Sequence, residues 1–261
     1  MLTLYHNDMS VCAAKVRIVL AEKALDWTGV HLDLRAGDGL TPDYLKLNPN
    51  GVVPTLVHDD AVIIESNVIC EYLDDVVPEH ALRPRDAVPR ARMRLWMKQL
   101  DDGVHAATGN ISTCVAFRHQ HLKKSKADLE DYFRRVPNEE RRVRIRQAVE
   151  QGLDAPVFAA AIKRFDKLIG DFERALVDRK WLAGDTYSLA DVAYTPYMIR
   201  LDHFGFTDLF KNRPRVTDWK RRLSERPSYQ GAVAKWFNPN YLTLFAEHGP
   251  AAQARVKAIL A

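Results

Sequence analysis

At 261 residues with 47% hydrophobic side chains, the chain is long enough to bury one large core or two ordinary ones, which excludes a disordered protein. Its 38 basic and 34 acidic side chains leave a net charge of +4, without the concentrated positive field of nucleic-acid binders. The three cysteines, Cys12, Cys70 and Cys114, form no disulfide framework and suit a reducing compartment. The opening MLTLYHND is not a secretory signal and no stretch approaches the roughly 20 apolar residues of a bilayer span, so a soluble, cytoplasmic protein without a membrane span is expected.

LTLY at 2–5 predicts a short strand, CAAKVRIVLAEKAL at 12–25 a helix by its apolar spacing, and TGVHLDL at 28–34 a second strand by its alternation. These form a βαβ unit. TPDYLKLN at 41–48 predicts a short helix with Pro42 in its first turn, where a missing N–H costs nothing. PTLVHDDAVIIES predicts two strands around a turn at Asp59 and Asp60, and a helix follows over 66–77. The order β-α-β-α-β-β-α predicts an α/β layer over residues 1–78.

PEHALRPRDAVPR at 78–90 has linker composition, with three prolines among alternating charges, and the linker is placed at 79–88. From 89 to 261 the pattern is helical and predicts an all-α domain. Its helices are expected near 89–108, 111–132, 139–150, 156–178, 188–203, 214–225 and 228–235, broken at Gly109, Pro137, Gly152, Gly184 and Pro227. Ser188 and Asp191 form a start signal like a capping box, with Asp in place of Glu. EERRVRIR at 139–146 mixes acids and apolar residues with its arginines, as the solvated face of a helix does.

Three local features of the first domain carry chemistry. Pro54 begins a short strand although it cannot donate to a ladder; either a cis Val53–Pro54 bond or an ordinary edge-strand proline accounts for it. A cis bond would turn the backbone of Val53 toward solvent, where an extended peptide could pair with it. Ser66, after Glu65, stands where a strand meets a helix, and its hydroxyl could cap that helix or help hold a ligand carboxylate. Ser10 and Cys12 stand at the other strand–helix junction, where a helix N-terminus favours an anion such as a thiolate.

With these residues assembled, the chain resembles the cytosolic glutathione transferase superfamily over nearly its full length, through NPNGVVPTL (48–56), ESNVICEYL (65–73) and WLAGDTYSLADVAYTP (181–196). The resemblance implies a thioredoxin-like N-terminal domain, an all-helical C-terminal domain, glutathione as co-substrate and a homodimer. It implies that Val53, beside Pro54, pairs with the cysteinyl backbone of glutathione, and that Ser66 holds the γ-glutamyl carboxylate with Glu65 beside it. The loop MSVC is similar to the serine and cysteine types: zeta-class isomerases, reductive dehalogenases and aryl-ether-cleaving transferases. Ser10 aligns with the serine that activates glutathione, and Cys12 with the cysteine that resolves a glutathionyl intermediate. One departure is Val52, where many members carry a Lys or Gln for the glycyl carboxylate, so another basic residue must serve. The charged stretch 119–156 is similar to an insertion, forming either an exposed arm or a cover on the substrate pocket.

A hydroxyl is sufficient for activation. Lowering a thiol from a pKa of about 8.5 by two units takes about 2.7 kcal/mol of selective stabilisation. A hydrogen bond to a charged group supplies about 1.5–3 kcal/mol and a helix N-terminus roughly 0.5–2 kcal/mol. Cys12, also at the helix start, could instead attack a glutathionyl adduct to form a mixed disulfide. His119 and His121 are two apart on a helix and point to different sides, so no metal is expected. Cys70 and Cys114 read as core. The expected function is transfer of glutathione to a small hydrophobic electrophile held near Met9, His105 and Phe117. The alternatives are a Cys12-dependent lyase, isomerase or reductive dehalogenase, and a non-catalytic binding module.

Overall fold

The computed structural model describes residues 1–261. β1 (Leu2–His6) alternates as a half-buried strand should, with Leu2, Leu4 and His6 buried. α1 (Val11–Glu22) follows, and β2 (Thr28–His31) returns parallel to β1 with Gly29 opposite Leu4. After α2 (Pro42–Leu47), β3 (Thr55–His58) and β4 (Ala61–Ile64) form a hairpin whose turn residue Asp59 takes a φ of +53°. α3 (Ser66–Val76) closes the layer. The sheet order is β2-β1-β3-β4, antiparallel except for the β1–β2 pair, and Leu4 faces Leu56 across β1 and β3. This is the α/β layer that the sequence predicts, of the thioredoxin-like kind that the resemblance implies, and Leu4 and Leu56 join Val16 of α1 with Ile69 and Leu73 of α3 in its core.

Residues 77–86 hold no helix or strand, yet they are anchored. The buried Asp74 carboxylate accepts from the Leu82 N–H and Arg83 Nε, both at 2.8 Å, and lies 2.7 Å from Lys23 Nζ. Lys23 also donates to the Val77 carbonyl at 2.6 Å, so both charges of this buried pair are held by further hydrogen bonds.

The remainder is helical: α4 (Ala87–Gln99), α5 (His105–Ser112), α6 (Arg118–His121), α7 (Lys126–Arg135), α8 (Glu139–Gln151), α9 (Pro156–Ala175), α10 (Leu189–His203), α11 (Pro214–Ser224), α12 (Pro227–Ala232) and α13 (Pro239–Leu260). Wide π-type turns at 100–104 and 113–117 join α4 to α5 and α5 to α6. Asp191 serves as a hub: its carboxylate accepts from the backbone N–H groups of Leu182 and Ser188 and from Trp219 Nε1, fixing the start of α10 against α11.

Three sequence expectations fail here. Gly109 lies inside α5 and breaks nothing; the kink is at Gly103, whose φ of +121° only glycine adopts readily. The helix expected over 111–132 is interrupted at 122–125, where Ser125 Oγ accepts the Asp128 N–H at 3.1 Å and starts α7. The 22-residue α13 was not predicted, and it runs on through Gly249 and Pro250. In the fold Gly249 permits a close approach, since a Cβ there would lie 2.7 Å from the Phe204 carbonyl.

α1 packs against α3 on one side and against α10 and α12 on the other. Buried Arg17 ties it down, donating to the carbonyls of Ala232 and Asn7 at 3.0 Å and of Asp8 at 2.9 Å. Glu22 receives both arms of Arg226 at 2.7 Å. The N-terminus of α1 is thereby fixed between the two halves. α7 and α8 fold back onto the first half through a small core of Tyr132, Phe133, Val136 and Val149 that Leu40 packs against. The stretch expected to be either an arm or a cover is a cover.

Candidate active site

A cleft of about 480 Å³ runs between the α/β layer and the helices, and Ser10, Cys12, Val53, Pro54, Glu65 and Ser66 all line it. Each is placed by a junction: the β1–α1 turn, the segment before β3 and the β4–α3 turn. Val53–Pro54 is cis, the first of the two readings open in the sequence. Glu65 has a φ of +68°, which non-glycine residues seldom adopt and which is held where a ligand is clamped or a chain turns sharply. Ser66 is the first residue of α3. Ser10 Oγ accepts the Ala13 N–H at 3.2 Å, so Ser10 is the N-cap of α1 and keeps its hydroxyl proton to donate into the cleft.

Cys12 Sγ lies 3.4 Å from His105 Nδ1 and 3.6 Å from the Tyr197 hydroxyl, and those two groups are 3.1 Å apart. Below them Lys15 is 1% exposed, and its Nζ donates to Asn67 Oδ1 at 2.9 Å with no carboxylate as a salt-bridge partner. Asn67 in turn donates to Asp101 at 3.1 Å. Burial pushes the Cys12 thiol up, but the charges of His105 and Lys15 and hydrogen bonds from His105 and Ser66 outweigh it, bringing it to about 6. The Cys12 thiolate raises His105 above the ordinary imidazole value, against burial. Burial raises Tyr197 well above the ordinary phenol range, so its hydroxyl stays protonated and donates to the sulfur. Cys12 is therefore largely thiolate at neutral pH. Cys70 and Cys114 are core residues, as expected, and burial drives both thiols up to about 12.

The far end of the cleft has a different chemistry. The Arg35 guanidinium lies 4.2 Å from the centroid of Phe117, and Arg200 lies 5.7 Å from it. Arg200 donates to Ser112 Oγ at 3.0 Å and to the Met9 carbonyl. His121 lines this end, while His119 stacks on His248 with ring centroids 3.6 Å apart. Arg141 of α8 donates to the Asn50 carbonyl at 3.2 Å. Met9, His105 and Phe117 line the cleft as expected. Tyr197, Arg35, Arg141, Arg200 and His121 as cleft residues were missed, and EERRVRIR is not simply a solvated face, because Arg141, Arg144 and Ile145 turn into the cleft.

Two helix N-termini, those of α1 and α3, open onto one wall above a buried lysine without an acidic partner, which fits an extended anionic ligand carrying a thiol. A thioredoxin-like layer with a helical partner domain, meeting at a cleft that gathers a thiol and two helix N-termini, defines the class of fold. Residues 9–76 match the model of the glutathione S-transferase N-terminal domain and residues 144–227 that of the C-terminal domain. The chain belongs to the glutathione S-transferase family, with glutathione as its co-substrate.

Protein LigF of Sphingobium sp. (strain NBRC 103272 / SYK-6) is 30% identical over 241 residues, covering 90% of this chain and 93% of LigF. The crystal structure of the β-etherase LigF from Sphingobium sp. strain SYK-6 matches with a TM-score of 0.80 at 28% identity, over 88% of this chain and 98% of that one. The tetrachloro-p-hydroquinone reductive dehalogenase of Sphingobium chlorophenolicum is 25% identical over 237 residues, 88% of this chain and 94% of the relative. Family members are typically dimers acting on electrophiles. No helix is long and apolar enough to cross a membrane.

Proposed function

We propose that this protein transfers the thiolate of glutathione to a hydrophobic electrophile. The observation that carries the reading is the single wall on which Ser10, Val53, Glu65 and Ser66 meet two helix N-termini. Ser10 donates its hydroxyl proton to the glutathione sulfur, which the N-terminus of α1 also stabilises. Val53, beside Pro54, pairs with the cysteinyl backbone, and Ser66 at the start of α3 takes the γ-glutamyl carboxylate with Glu65 beside it. Arg141 takes the glycyl carboxylate: its guanidinium is bonded to Asn50, two residues before Val52, and no carboxylate neutralises it. The test is an ultraviolet titration of the thiolate of bound glutathione. Its apparent pKa should fall by about two units and recover in large part in Ser10→Ala. A thiol unshifted in the wild type would overturn the reading and leave a non-catalytic binding module.

The contacts of Cys12 with His105 and Tyr197 favour a second reading, a glutathione-dependent lyase, isomerase or dehalogenase; for the dehalogenase a balanced sequence can be written. After glutathione has joined the substrate carbon, the Cys12 thiolate attacks the glutathionyl sulfur. The Cys12–glutathione S–S bond forms as the S–C bond breaks, and the carbon keeps the electron pair and takes a proton from imidazolium His105. A second glutathione thiolate then displaces Cys12 and leaves as glutathione disulfide. Mass spectrometry should trap the Cys12–glutathione disulfide, and Cys12→Ser should accumulate the glutathionyl adduct. Turnover by Cys12→Ser at the wild-type rate would sink this route. Val68 on α3 and Val88 and Leu95 on α4 are exposed apolar side chains, which we assign to a homodimer face. Three free cysteines and a reduced co-substrate support a cytoplasmic location.

A further inference from the structure

The far end of the cleft carries positive charge that nothing in the chain neutralises. Glu140 pairs with Arg144 at 3.4 Å, Asp101 is held by Asn67 at 3.1 Å and Glu65 by Asn50 at 3.3 Å, so the acids that line the cleft have partners. Arg35 and Arg200 have no acidic partner. Arg200 is 5% exposed, its two bonds go to neutral oxygens, and its Nε is buried without an acceptor. Arg35 Nε is also buried without an acceptor. His121 is 1% exposed, and neither ring nitrogen has a partner.

The neighbours of these groups are cations rather than acids. Burial and then Arg35 lower Arg200 to about 10, and burial and then the charges of Arg35 and Lys124 lower His121 to about 4. His121 is thus a neutral imidazole with an N–H to give. Buried donors left without acceptors are costly, and like charges held together are costlier, unless a ligand supplies the missing anion. Phe117 lines the cleft beside them, with Arg35 over its ring at 4.2 Å and Arg200 5.7 Å from its centroid.

We propose that the second substrate is an aromatic anion, its ring against Phe117 and its carboxylate, sulfonate or phenolate received by Arg35, Arg200 and the His121 N–H. The inference rests on the transferase reading above and names the chemical class of the electrophile. It separates the duties of two arginines: Arg141 serves the glutathione glycyl carboxylate beside Asn50, and Arg35 serves the substrate.

The test compares S-benzylglutathione with S-(4-carboxybenzyl)glutathione by titration calorimetry on the wild type, Arg35→Gln and Arg35→Lys. The carboxylated conjugate should bind the wild type about tenfold more tightly. Arg35→Gln should bring the ratio near one, and Arg35→Lys should keep most of it. Equal wild-type affinities, or a preference that survives Arg35→Gln, would overturn the inference while leaving the transferase reading intact. Arg35→Gln weakening both conjugates equally would assign Arg35 to glutathione's own carboxylate, and would also overturn it. If neither conjugate bound, the glutathione-site reading itself would fall, and the inference with it.

Discussion

The two walls of the cleft recruit polar groups in opposite ways. The α/β wall presents them at element junctions: a helix cap at Ser10, the segment around Val53 and Pro54, and the start of α3 at Ser66. The helical wall presents long side chains, His105 from α5, Arg141 from α8, Tyr197 and Arg200 from α10, each brought in by packing between elements distant in sequence. Backbone N–H groups at a helix start are fixed when the helix forms, so the first wall suits an invariant tripeptide. Side chains on separate helices can be exchanged one at a time without unmaking the fold, so the second wall suits a variable electrophile.

Ser10→Ala tests the first wall and should have the largest effect. Losing a hydrogen bond of about 1.5–3 kcal/mol to a thiolate lowers kcat/KM by roughly 10- to 150-fold, while loss of the cap costs only about 1 kcal/mol of stability. Steady-state kinetics and a thermal melt separate the two, and a variant that merely melts earlier would leave the first wall without its catalytic group. His105→Ala tests the second wall. The Cys12 thiol should rise from about 6 toward the ordinary value, because the neighbouring imidazolium charge and a hydrogen bond are lost. Alkylation by iodoacetamide at pH 6.5 should slow about tenfold, the lost thiolate fraction being partly offset by the greater nucleophilicity of a more basic thiol. If the rate held, Lys15 and the N-terminus of α1 would be the groups that acidify Cys12.

The same contrast explains what was legible in the sequence. Ser10, Pro54 and Ser66 stood out as candidates because two strand-to-helix junctions and a proline at the start of a strand are local signals, each read within a few residues. Tyr197 and Arg200 lie inside α10, where their spacing looks like any buried helix face; their contacts with Cys12 and Met9 span 185 and 191 residues. Arg141 was hidden because a charged run on a helix normally faces water. Burial of Ala148 and Val149 on the same helix settles which side of α8 turns inward, and that depends on α7 and Leu40. α13 also depends on a distant neighbour: Gly249 lets the helix pass close to the Phe204 carbonyl, a contact that no local pattern announces.

Arg141→Ala has the smallest expected effect and makes the sharpest test of how the walls divide their labour. A partly buried guanidinium on a carboxylate contributes modestly in a cleft open to solvent, so KM for glutathione should rise about fivefold with kcat unchanged, the pattern of lost uniform binding. The difference from wild type should shrink at high salt, because the contact is ionic. Val52→Lys in the Arg141→Ala background should recover most of the affinity by moving the cation from the helical wall to the α/β wall. Recovery would show that α8 took over a duty the first wall had lost. A raised KM that Val52→Lys left unchanged would instead mean that Arg141 acts by holding Asn50 and the loop before Val53, and α8 would then position the first wall without touching glutathione.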